Sequence, residues 1–166
     1  MDVVKMKGKR NVIGDSQVKL KDFHTMAGYL IRRTQQISTA LFAEECGKHE
    51  LTAVQYAALV AIGLHPQIDA TRISRLISLD RSTLGDVLER IEAKGLVVRS
   101  ASPSDRRVKL LSLSAEGKKL IAAVSMPVQR VQKRLLEPLT PKEQQTFVEL
   151  LSRLTESHKD LPPIKS

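Results

Sequence analysis

From Val18 to Cys46, apolar side chains return every three or four residues, at Phe23, Ala27, Leu30, Ile31, Ile37 and Leu41, with Thr34 on the same stripe. That period predicts an amphipathic helix, and Gly47 supplies its stop. A second helix is expected from Thr52 through TAVQYAALVAIGL, ending near His65-Pro66. Asp69 suits the cap of a short third helix that turns Ile73, Leu76 and Ile77 inward. Ser78-Leu79 then makes a tight turn, and Asp80 caps the next helix, RSTLGDVLERIEAK, which Gly95 terminates. Within it Leu84, Leu88 and Ile91 fall at i, i+4 and i+7, with Val87 alongside, and form a buried stripe.

The period changes after Gly95. Leu96–Arg99 and Val108–Leu113 are β-rich runs flanking the polar stretch SASPSDRR, which predicts a hairpin with a long basic tip. Ser114 caps another helix that continues past Pro127 to about Leu136. An interior proline removes a hydrogen bond, so a kink is expected near Val124–Met126. Thr140-Pro141-Lys142-Glu143 carries the capping-box signature of a last helix ending near His158. The expected fold class is mainly α with a small β-hairpin wing: a winged helix-turn-helix plus a helical dimerisation region. Residues 1–17 form a basic arm containing Lys5, Lys7, Lys9 and Arg10. Residues 18–50 and 114–158 supply the dimerisation region, 51–113 the DNA-binding lobe, and 159–166 a tail.

Charge narrows the partner. The 166 residues carry 27 Lys+Arg against 18 Asp+Glu, a net +9, which favours polyanions. Nucleic acid and an anionic membrane both fit that charge. Aromatic residues are only 3% and tryptophan is absent, which argues against single-strand binding by base stacking, and the order helix, turn, helix, hairpin points to double-stranded DNA. Segment 69–113 holds nine basic and six acidic residues, a net of only +3. Such a modest charge argues against an architectural DNA-binding protein that relies on charge without sequence readout. No apolar run reaches the ~18 residues a membrane span needs. The N-terminus has no signal-peptide core, and Cys46 stands alone, so a cytoplasmic protein without membrane contact is expected.

The candidate reading face begins with Arg81, Ser82 and Thr83 at a helix N-terminus and continues with Asp86 and Arg90. Hydroxyls and N-terminal amides suit phosphates and base edges, and arginine suits guanine. Gly85 sits mid-helix, where glycine costs about 1 kcal/mol relative to alanine, so either tight helix packing or close approach to DNA is expected there. At the hairpin tip, Asp105, Arg106 and Arg107 place guanidinium groups where one could enter a narrow minor groove. Asp105 would hold its neighbour extended. No glycine-rich phosphate loop, nucleophile elbow or metal-ligand spacing occurs, so no catalytic residue, metal or cofactor is expected. The histidines His24, His49, His65 and His158 show no paired spacing, although His49 stands near Cys46 and Glu45.

The run LDRSTLGDVLERIEAKGLVVRSASPSDRRVKLLSLSAEGKKL, with LTAVQYAALVAI upstream, resembles the MarR family of bacterial regulators over residues 20 to 157. YLIRRTQQISTALFAEEC is similar to members controlling aromatic-acid catabolism. The resemblance implies an obligate homodimer built from the first helix and the last two, reading a pseudo-palindrome. Ser82, Thr83 and Arg90 would read or position the major groove, and Arg107, oriented by Asp105, the minor groove. It also implies a repressor released by a small aromatic acid of hydroxybenzoate, nicotinate or cinnamate type, or its CoA thioester. The candidate lining is His24, Tyr29, Arg32, Arg33, Gln36, Gln55 and Tyr56, an arginine pairing with the carboxylate. A redox switch at Cys46 is the alternative. Its position at the end of the first helix differs from that of the family's thiol sensors, and the neighbouring Glu44 and Glu45 would raise its pKa.

Overall fold

A computed structural model describes residues 20–162; the basic arm at 1–17 and the last four residues of the tail lie outside that range. The chain divides into two compact units, residues 1–35 and 36–166.

In the first unit the expected helix from Val18 is interrupted. A 3-10 turn, Leu20–Thr25, precedes helix α1, Ala27–Cys46. The Thr25 hydroxyl donates to the Asp22 carbonyl at 2.7 Å, a local bond that competes with helix continuation. Phe23, His24 and Tyr29 cluster, with ring centroids 4.8 to 5.6 Å apart. Phe23, Met26, Leu30 and Ile31 leave their apolar surface exposed.

The second unit holds the rest of α1, then α2 (Ala53–Leu64), β1 (Ile68–Asp69), α3 (Ala70–Leu76), α4 (Arg81–Ala93), β2 (Val97–Ala101), β3 (Lys109–Leu113), α5 (Ala115–Leu136) and α6 (Pro141–Ser157). Helix α2 starts on a reciprocal cap: Thr52 Oγ1 accepts from Gln55 N, and Gln55 Oε1 accepts from Thr52 N. Thr140 and Glu143 build the same motif at α6. These motifs satisfy amide groups that a helix start leaves unpaired.

The hairpin is part of a larger sheet than the pattern predicted. Strand β3 lies between β1 and β2, antiparallel to both. The additional strand has two residues, too short for any alternation to register, yet Ile68 is buried opposite Leu111. Gln67, in the left-handed region at φ 61°, donates its amide to Ser112 Oγ at 3.1 Å and turns the chain into the sheet. The two hairpin strands also begin one residue later than expected, and β2 continues to Ala101.

The core gathers Leu59 and Ile62 of α2, Ile73 of α3, Leu84, Leu88 and Ile91 of α4, Leu111 of β3, and Val124 and Val131 of α5. Gly95, at φ +69°, reverses the chain after α4. The Leu96 carbonyl accepts the Ser114 amide at 3.0 Å, and the Ser114 hydroxyl donates to Gly95 O at 2.6 Å while accepting from Gly117 N. A Cβ at Gly117 would collide with the Leu96 carbonyl oxygen. Helix α5 runs without interruption through the buried Pro127. At its far end Arg130 and Arg134 grip Glu45 of α1 at 2.7 and 2.9 Å, and Arg134 also reaches Glu44 at 2.7 Å. Helix α6 buries no residue: Val148, Leu150 and Leu154 are each about half exposed.

Gly117→Ala should destabilise the protein by about 1–3 kcal/mol or more, since the clash is with backbone and cannot relax by a rotamer change. Urea unfolding would measure it, and an unchanged midpoint would show that α5 does not dock there as described.

Candidate nucleic-acid interface

The helix-turn-helix is locked by side-chain bonds to backbone. The turn between α3 and α4 passes through Ser78 in the left-handed region at φ 52°. Buried Ser74 fixes that turn, its hydroxyl donating to Leu79 O at 2.6 Å and its carbonyl accepting Leu79 N at 3.0 Å. Asp80 then caps α4: Oδ1 accepts the amides of Ser82 and Thr83 at 3.0 and 3.1 Å, and Oδ2 accepts the Thr83 hydroxyl at 2.6 Å. The carboxylate stabilises the positive end of the helix dipole.

These bonds sort the predicted reading residues. Ser82, Asp86 and Arg90 are exposed on α4, on the side away from the buried stripe of Leu84, Leu88 and Ile91. Thr83 is half-buried and its hydroxyl proton is engaged by Asp80, so it serves the cap as well as any surface role. Arg81 leans back toward α3, its Nη2 donating to Thr71 Oγ1 at 3.1 Å. Gly85 corrects one expectation. A Cβ there would meet nothing within 4 Å, so tight helix packing does not account for the glycine.

At the wing, the β2–β3 connection is closed by Ser102 N donating to Val108 O and Val108 N donating to Asp105 O, at 3.0 and 2.9 Å. Asp105 Oδ1 accepts both the Arg107 amide at 3.0 Å and its Nε at 3.2 Å. The Arg107 side chain is nonetheless 92% exposed, so it is oriented by Asp105 while remaining open to a partner. Arg106 is exposed beside it. Arg99 of β2 pairs with Glu92 of α4 at 2.7 Å, tying wing to helix.

The predicted effector residues fall in both units. In the first, His24 and Tyr29 make an edge-to-face ring contact at 5.0 Å, and Arg32 and Arg33 are exposed on α1. In the second, Gln36 is exposed, whereas Gln55 is buried and commits its oxygen to the α2 cap. Tyr56 packs against Phe42 at 5.8 Å and lines an apolar cavity of about 400 Å³ with Val60, Leu64, Leu76 and Ile77.

Cys46 is completely buried, and burial above all, with the Glu45 charge second, pushes its thiol up. Glu45 is itself held below the ordinary carboxylate range by its bonds to Arg130 and then Arg134. These two arginines were not picked out from the sequence; their i, i+4 spacing on α5 was the available signal. Among the described residues no group of His, Cys, Asp and Glu is arranged to hold a metal ion, and no helix is long and apolar enough to cross a membrane.

A capped helix with an open polar face, followed by a wing with an oriented arginine, matches known regulators. The profile of the MarR family matches residues 51–109. The transcriptional regulator HosA of Escherichia coli O111:H- is 32% identical, over 77% of this chain and 93% of its own. The chain belongs to the MarR family. Its fold also matches the transcriptional repressor CouR bound to a 23-mer DNA duplex, with a TM-score of 0.77 and 27% identity over 84% of this chain and 99% of CouR. Bordetella bronchiseptica BpsR, whose DNA binding is regulated by 6-hydroxynicotinic acid, gives a TM-score of 0.76 and 27% identity over 80% of this chain and 95% of its own. As a MarR-type transcriptional regulator the chain has a function in DNA binding.

Because the Gly85 Cβ position is open, Gly85→Ala should stabilise the free protein by about 1 kcal/mol. Thermal unfolding without DNA would read this as a raised midpoint; a lowered one would mean that the site is more crowded than described.

Proposed function

We propose that this protein is a homodimeric, non-enzymatic repressor that works in the bacterial cytoplasm and leaves a pseudo-palindromic operator when a small aromatic carboxylate binds. The observation that carries the DNA reading is the pairing of an exposed α4 face, started by the Asp80 cap, with the solvent-extended Arg107 held by Asp105. Helix α4 would enter the major groove, where Ser82, Asp86 and Arg90 face base edges and phosphates, with Arg81 and Thr83 shaping its N-terminal end. Arg107 and Arg106 would follow the adjacent minor groove. Gly85, with open space where a Cβ would stand, would let the helix lie close to the duplex.

A second copy is supported by helix α6. Among the described residues none of its side chains is fully buried, with Val148, Leu150 and Leu154 about half exposed, and a helix with so little cover gains little from folding alone. Two copies related by a two-fold axis would present their α4 helices about one DNA turn apart.

An aromatic carboxylate is favoured by the residues of α1 and the turn before it. His24 and Tyr29 offer ring faces, and Arg32 or Arg33 offers a guanidinium for bidentate pairing with a carboxylate. BpsR, which responds to 6-hydroxynicotinic acid, supports the same class of effector.

Arg107→Ala should weaken operator binding about tenfold without moving the melting temperature, as read by fluorescence anisotropy and thermal unfolding. Unchanged affinity in a folded protein would remove the wing from the interface. Leu150→Asp should shift the mass by light scattering from twice 18.5 kDa toward 18.5 kDa; a monomeric wild type would contradict the dimer. Titrating the DNA complex with hydroxybenzoates, nicotinates, cinnamates and their CoA thioesters should release the duplex with one of them. Binding that ignores duplex sequence at physiological salt would instead favour an architectural protein.

A further inference from the structure

Beside the helix-turn-helix turn lies a polar cleft of about 600 Å³ that joins segments far apart in the sequence. Thr71 and Arg75 of α3 form one wall, and Asp80 and Arg81 at the start of α4 form another. The residues following α6, beginning with Lys159 and Asp160, close it. Three cations from three elements therefore meet at the end of α4 that also carries Ser82.

The charges in the cleft are unequally occupied. Arg75 is exposed and makes no ion pair among the described residues. Arg81 is steered across the gap by its bond to Thr71 at 3.1 Å. Lys159 makes a solvent-exposed ion pair with Glu156, at 2.5 Å and one turn back along the chain. Against them stand two carboxylates. Asp80 directs its oxygens to the first amides of α4 and to the Thr83 hydroxyl, and Asp160 is exposed. The lining residues supply three cations and two carboxylates, with Glu156 beside Lys159 as a third, and the Thr71 hydroxyl stands beside Arg81.

We propose that this cleft seats a phosphate of the duplex backbone, with Arg75, Arg81 and Lys159 as its positioning cations. This makes the segment after α6 a third element touching DNA, beside α4 and the wing. The proposal rests on the reading of α4 as the DNA-facing helix. A backbone phosphate fits better than a free small anion because Arg75, Arg81 and Lys159 are all solvent-exposed. A dedicated small-molecule site would bury most of its ligand. The assignment also places part of the chain's +9 charge on DNA outside segment 69–113.

The test measures operator affinity by anisotropy across 50 to 200 mM salt for wild type, Arg75→Ala, Lys159→Ala and Arg107→Ala, each checked for folding by circular dichroism. Each of the first two variants should lower the slope of log K against log salt by about 0.9, the value for one released phosphate contact. The ratio of operator to random-duplex affinity should stay the same, because a phosphate contact carries no sequence information. Wild-type slopes in Arg75→Ala and Lys159→Ala, with Arg107→Ala still weakened, would overturn the cleft and leave the DNA reading intact. Wild-type binding in all three folded variants would overturn both. A melting temperature raised by inorganic pyrophosphate, together with unchanged slopes, would assign the cleft to a free anion and overturn the proposal.

Discussion

Three backbone neighbours set the geometry of the proposed DNA-binding lobe: Leu96, Ser114 and Gly117. The Leu96 carbonyl at the end of the α4 turn accepts from Ser114, and Gly117 has no side chain to hold α5 away from that same oxygen. Helix α4, the wing strands and α5 therefore meet at one point, where no atom can be added without moving another. The hydrophobic core drives these elements together without specifying direction. The Leu96 junction supplies direction, since hydrogen bonds have strict geometry.

With α4 and the wing placed, the proposed reading groups are oriented by short-range bonds instead of packing. Ser74 holds the turn, Asp80 holds the first amides of α4, and Asp105 holds Arg107. This arrangement keeps side chains aimed while leaving them exposed. A preoriented arginine loses less freedom on binding than a mobile one, so more of its interaction appears as affinity. Farther along α5, Glu45 ties α1 to that helix through Arg130 and Arg134, linking two helices of the proposed dimer region.

Local chemistry was legible in the sequence. Thr52, Asp69, Asp80, Ser114 and Thr140 each cap the helix expected of them, because a cap is decided within four residues. The α4 stripe and the Asp105–Arg107 pairing were readable for the same reason. Features set by distant contacts were not. Strand β1 exists only because Leu110 and Leu111 lie opposite it, and the Glu45–Arg130 bond spans 85 residues. Gly85 shows the limit of composition: its cost was visible, but only coordinates reveal the empty space around it. The break before α1 was hidden because Thr25 forms a local bond inside an otherwise helical pattern.

The charge distribution also acquires a physical reading. Segment 69–113 carries +3 of the chain's +9, so in the proposed function sequence reading and electrostatic attraction would be drawn partly from different regions. Hydroxyl-radical footprinting of the protein on the DNA upstream of its own gene tests the central claim most directly. A two-fold dimer reading through α4 and the wing predicts bounded protection on one face of the duplex, in two patches about one helical turn apart. Protection that spreads evenly with concentration, without boundaries or helical phase, would contradict it.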